Sequence, residues 1–111
     1  MLETQIPQIC NQAQQSAREA ASKYFNEKLG GKDQFACGFA WVDVYEVRSN
    51  SKLGKALIAQ GFRKSYSKTL QMWNPSNFGC QNIDTLEEGA RAYAEVLNQA
   101  GLKAYVGSRL D

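Results

Sequence analysis

The chain has 111 residues, of which 43% are hydrophobic and 22% charged, with a formal charge of +2 and no histidine; this is the size and balance of one globular domain, not of two domains or a disordered segment. No apolar run reaches the roughly 18 residues of a membrane span, and the N-terminal residues lack a basic start followed by an apolar block, so the reading predicts neither anchor nor leader and a cytoplasmic address. Without histidine there is no usual general base, no imidazole metal ligand and no Ser-His or Cys-His pair.

Cys10, Cys37 and Cys80 are odd in number and outside any C-x-x-C spacing, which predicts reduced, partly buried thiols and neither a zinc site nor a disulfide framework.

From Thr4 to Leu29 the small or apolar residues Ile6, Cys10, Ala13, Ala17, Ala20, Ala21, Tyr24 and Leu29 recur at the spacing of one helical stripe, predicting a long helix with a narrow, alanine-lined contact face. Gly30 and Gly31 end it, because glycine takes the left-handed terminal conformation without steric cost. Residues 38 to 47, GFAWVDVYEV, alternate with period two. Phe39, Trp41, Asp43 and Tyr45 point one way and Ala40, Val42 and Val44 the other, so a strand that is apolar on both faces is expected in the centre of its sheet.

Ser49, Asn50 and Ser51 then cap a short helix, KLGKALIAQ, which is weakened by Gly54 and ends at Gly61. Two strands follow, Phe62 to Ser67 and Thr69 to Trp73, with a turn near Ser67 and Lys68 and a stop at Asn74-Pro75. Residues 76 to 83 read as a polar loop. Asp84 and Thr85 are expected to cap a last helix buried along Leu86, Ala90, Tyr93, Leu97 and Ala100 and closed by Gly101. Its acids Glu87, Glu88 and Glu95 form a solvent face, with Glu88 and Arg91 as an i, i+3 pair. Lys103 to Val106 is a final strand, and GSRLD an exposed tail.

After the first helix the order is strand, helix, strand, strand, helix, strand. That predicts an α+β, ferredoxin-like split βαβ domain with an added N-terminal helix: a four-stranded antiparallel sheet with the first and third strands central. The chain divides into the N-terminal helix, residues 1 to 31, and an α/β core, residues 38 to 107, within a single domain.

Charge is segregated along this plan. Between Val47 and Ile83 stand Arg48, Lys52, Lys55, Arg63, Lys64 and Lys68 with no acidic residue, while the flanks hold seven basic and eleven acidic ones. Such a distribution points to a directed electrostatic face. Phe39, Trp41 and Tyr45 on the first strand, with Trp73 on the third and Arg63 and Lys64 beside them, have the layout of a sheet that stacks bases and holds phosphates, although the RNP sequence pattern is absent.

The opposing expectation is structural. Bulky aromatics left in water make a large apolar patch, and the alanine-striped first helix is available to lie over them, or a dimer to bury them. SKLGKAL lacks the spacing of a phosphate-binding loop, yet it puts Lys52 and Lys55 in the first turn of a helix, where backbone N–H groups can hold an anion.

CGFAWVDV, LGKALIAQGFRKSY, QMWNPS and EEGARAYAEVLNQAGLKAYVGSRLD together resemble small proteins of unassigned function encoded by tailed bacteriophages, over about residues 23 to 111. The resemblance implies synthesis in an infected bacterial cytoplasm and assigns no catalytic residue. The resulting expectation is a non-enzymatic binding module without cofactor or metal. It engages an anionic partner, nucleic acid, through Lys52, Lys55, Arg63, Lys64 and Lys68, with Tyr66 and Trp73 stacking. The alternative is a factor or inhibitor that binds a host protein through its aromatic patch while the lysines steer encounter.

Overall fold

The computed structural model describes all residues from Met1 to Asp111. Helix α1 spans Leu2–Leu29, strand β1 Gly38–Tyr45, α2 Lys52–Ala59, β2 Arg63–Lys64, β3 Leu70–Trp73, α3 Ile83–Gln99 and β4 Lys103–Leu110. The strands form one antiparallel sheet in the order β2-β3-β1-β4, so the first and third are central as expected. The protein is therefore an α+β domain of one four-stranded antiparallel sheet and three helices.

Alternation along the strands separates two very different faces. Ala40, Val42, Val44, Leu70 and Ala104 are buried in a core shared with Ile6, Cys10, Ala13 and Ala17 of α1, Leu57 of α2, and Leu86, Ala90, Tyr93, Ala94 and Leu97 of α3. All three helices thus serve one face of the sheet. The cover expected from α1 is corrected here: its stripe packs chiefly on α3 and secondarily on α2, leaving the aromatic face of the sheet open.

The reason is steric fit between small residues. Ala13, Ala17 and Ala21 are fully buried, and across from them Gly89 of α3 has no room for a side chain. A Cβ there would lie 2.7 Å from the Ser76 side chain and 3.3 Å from the Ala17 carbonyl oxygen. Close helix approach of this kind needs a partner that is equally slender, which α3 supplies and a sheet of tryptophans does not.

Several element ends differ from expectation. β4 runs through residues read as a tail: Gly107, Ser108, Arg109 and Leu110 pair with Trp41, Ala40, Phe39 and Gly38. Here the length of β1 sets the length of its neighbour. The hairpin strand β2 is only two residues long because Ser65 begins the turn, its N–H donating to the Thr69 carbonyl at 3.0 Å. Lys68 in that turn has a positive φ of 63°.

α3 is capped by Asn82 rather than by Asp84 and Thr85, the Asn82 carboxamide oxygen accepting from the Thr85 N–H at 2.8 Å. The segment read as a polar loop is tied down there. Asp33 accepts from the backbone N–H groups of Gln81 and Asn82, Asn82 donates to the Gln34 carbonyl, and Ser76 and Asn82 are buried. Ser51 caps α2 as expected, accepting from the Gly54 N–H at 3.0 Å. The three thiols are free; Cys10 is buried and Cys80 half-buried, but Cys37 is exposed.

Candidate nucleic-acid interface

The open face is built from strand register. Trp41 of β1 stands opposite Trp73 of β3 on one side and Gly107 of β4 on the other, Phe39 opposite Arg109, and Asp43 opposite Gln71 and Tyr105. A Cβ on Gly107 would lie 2.3 Å from the Trp41 indole nitrogen, so the missing side chain is the space in which the indole lies. Trp73 stacks on Trp41 with ring centroids 4.6 Å apart and planes 26° from parallel. Phe39 meets the edge of Trp73 at 6.1 Å, and Tyr45 and Tyr105 form a second edge-to-face pair at 5.3 Å.

These rings reach solvent. Phe39 is 39% exposed, Tyr45 42%, Trp73 45% and Tyr105 60%. Ring surface left exposed in this way is a platform on which a planar ligand can stack, at about 1–3 kcal/mol per base. The Arg109 guanidinium lies 5.4 Å from the centre of Phe39 and 6.0 Å from that of Trp73, which places a permanent cation over the cluster.

Polar groups hold the platform rather than interrupting it. The Trp41 indole N–H donates to Asp43 at 3.1 Å, and the Trp73 N–H to the Gln71 carboxamide at 3.1 Å. The other Asp43 oxygen accepts from the Thr69 hydroxyl at 2.9 Å, and Thr69 in turn accepts from Ser65 at 2.7 Å. One chain of hydrogen bonds therefore connects the basic hairpin to the central tryptophan. Asp43 thus serves its neighbours with both oxygens, which is how a partly buried carboxylate is kept satisfied.

The sequence-derived residues fall in four places. Lys64, Tyr66 and Trp73 line one shallow groove of about 590 Å³ that passes over Gln71 to the hairpin tip. Lys64 and Lys68 also line a wider cleft of about 650 Å³ with Arg48, Ser49 and Asn50. Arg63 pairs with Gln71 at the edge of the open face. Lys52 and Lys55 stand apart, exposed on α2 and outside both depressions. The start of α2 is already served, since the Ser51 hydroxyl spans it by donating to the Arg48 carbonyl and accepting from the Gly54 N–H.

No family model, curated protein or solved structure matches this chain.

Tyr105, Gly107 and Arg109 belong to the face but were not expected there. A glycine followed by polar residues reads as a strand end when its partner indole is out of view. The signal available in the sequence was the length of the alternating run from residue 38 to 47, which needs a neighbour of similar length. No cluster of three or more His, Cys, Asp or Glu side chains that could hold a metal is present, and no helix is long and apolar enough to cross a membrane.

Proposed function

We propose that the protein is a non-enzymatic module that binds single-stranded nucleic acid across the open sheet face, with bases on Trp73, Phe39 and Tyr105 and phosphates held by Arg63, Lys64, Lys68 and Arg109. The observation that carries this reading is the uncovered, hydrogen-bonded aromatic platform with a guanidinium seated over it. Stacking is tolerant of sequence because every base has a π-face, and the cations around the platform neutralise the backbone. The element order and strand order support the finer reading of a ferredoxin-like arrangement. With the resemblance to phage-encoded proteins, the setting proposed is the cytoplasm of an infected bacterium.

The test is binding to single-stranded oligonucleotides as a function of salt. Each phosphate contact on a single strand contributes about −0.7 to the slope of log K against log salt, so four contacts give a slope near −3. Replacing Arg63 and Lys64 with alanine should bring the slope toward zero by about one to two units with little change in thermal stability, since exposed charges contribute little to folding. Trp73→Ala should cost roughly 1–3 kcal/mol of affinity. If the wild type shows no salt-sensitive binding to DNA or RNA at micromolar concentration, the reading fails and the same aromatic patch is better understood as a hot spot for a protein partner of the host, or as the interface of a homodimer.

A further inference from the structure

Trp73 borders a second depression whose chemistry differs from that of the basic groove. It lies between α1 and the turn that follows β3, encloses about 260 Å³, and is lined by ten residues of which five carry carboxamides: Asn11, Gln14, Gln60, Asn74 and Asn77. No charged side chain lines it. Met72 and Pro75 supply its apolar wall. Asn74 is engaged within the chain, donating to the Phe78 carbonyl and accepting from Ser76.

An uncharged wall cannot balance the charge of a phosphate or a metal ion and so disfavours both. A carboxamide, by contrast, presents a donor and an acceptor side by side, the pattern displayed by the hydrogen-bonding edge of a nucleobase. The volume suits one planar base and is small for a folded partner. Trp73 is common to this cleft and to the groove that leads to Tyr66, so a strand stacked on the platform can turn one base off the sheet at that point.

We infer that the cleft between α1 and the 74–77 turn is a base-reading pocket, in which Gln14 and Gln60 hydrogen-bond the edge of one unstacked nucleobase and give the module a base preference. The inference rests on the proposed nucleic-acid function. It adds a selectivity that stacking and phosphate contacts alone do not supply, and it assigns to α1 a part in recognition.

The experiment compares homo-oligonucleotides of A, C and T of equal length at one salt concentration, so that phosphate contacts are the same for all. The wild type should prefer one base by about tenfold. In the double variant Gln14→Ala, Gln60→Ala, that preference should fall to less than about twofold while the salt slope is unchanged. Gln14 is exposed on α1 and Gln60 has helical backbone angles, so alanine is well tolerated at both; an unchanged melting temperature verifies that the fold is intact. Equal binding of all three homopolymers by the wild type, or a preference that survives in the variant, overturns the base-reading pocket and leaves the stacking platform standing. Failure of the wild type to bind any of them overturns both.

Discussion

Trp41 lies in the place where Gly107 has no side chain. The indole of one strand occupies the Cβ position of its neighbour, with ring atoms 2.3, 2.4 and 2.7 Å from where that carbon would be. Trp73 then stacks on Trp41, so a single glycine on β4 supports the tryptophan pair at the centre of the open face. An aromatic residue that covers a cross-strand glycine offsets the poor strand propensity of that glycine.

Gly107→Ala should therefore lift the indole and break its bond to Asp43. The expected cost is about 1–3 kcal/mol, the usual range for forcing extra volume into a packed site. Fluorescence should report it independently, as a shift of tryptophan emission to longer wavelength. Gly79→Ala is the control, because a Cβ at Gly79 meets nothing within 4 Å and its melting temperature should match the wild type or exceed it slightly.

Gly54 inverts an ordinary rule. Glycine to alanine within a helix is normally stabilising by about 1 kcal/mol. At Gly54 the new Cβ would lie 2.0 Å from the Arg48 carbonyl oxygen, a backbone atom that cannot swing aside. Gly54→Ala should lower stability by about 1–3 kcal/mol in urea titration; a stabilised variant would show that α2 can shift away from the loop preceding it.

The packing of α1 on α3 makes a similar claim. Ala17 has no exposed surface and its carbonyl faces Gly89. Ala17→Leu should cost about 1–3 kcal/mol by overpacking, while Gln15→Leu, on the exposed side of the same helix, should stay within about 0.5 kcal/mol. Because α1 lies on the helical side, deletion of residues 1 to 22 should bring unfolding or aggregation by uncovering Ala90 and Tyr93. A truncated chain that remains monomeric and cooperatively folded would make α1 an independent arm.

Burial raises the pKa of the Cys10 thiol above 9.0, and burial together with the adjacent Cys10 raises the Tyr93 phenol above 10.0. Both are neutral in the folded protein at pH 7. The sign follows from proton counts: above those unfolded values the unfolded chain releases protons that the folded chain retains, so stability falls as pH rises, by up to about 1.4 kcal/mol per pH unit for each group. At about pH 7.5 and below these two groups leave stability nearly unchanged. Melting temperatures from pH 7 to 10.5 should show the decline, and Tyr93→Phe should reduce its upper part. An equal decline in that variant would remove Tyr93 from the account.

The elements were legible because each depends on local pattern. The alanine stripe of α1, the period-two alternation of Gly38 to Tyr45 and the serine cap of α2 are recorded in neighbouring residues, and the α+β order follows from them. The two faces of β1 were legible for the same reason, since alternation separates Trp41 from Val42 before any partner is known.

Which face the long helix would cover was not recorded locally. An alanine stripe fits any slender partner, and only the assembled chain brings Gly89 opposite Ala17 and so directs α1 onto α3. The extent of β4 was hidden likewise: Gly107 breaks a strand in isolation and completes one when Trp41 lies over it. Sequence determined the elements, the charge segregation and the aromatic residues of one strand. Tertiary structure decided that those aromatics stay open to solvent, that Arg109 joins them, and that Lys52 and Lys55 do not line their groove, because complementarity between distant surfaces is a property of the pair and is written in neither segment alone.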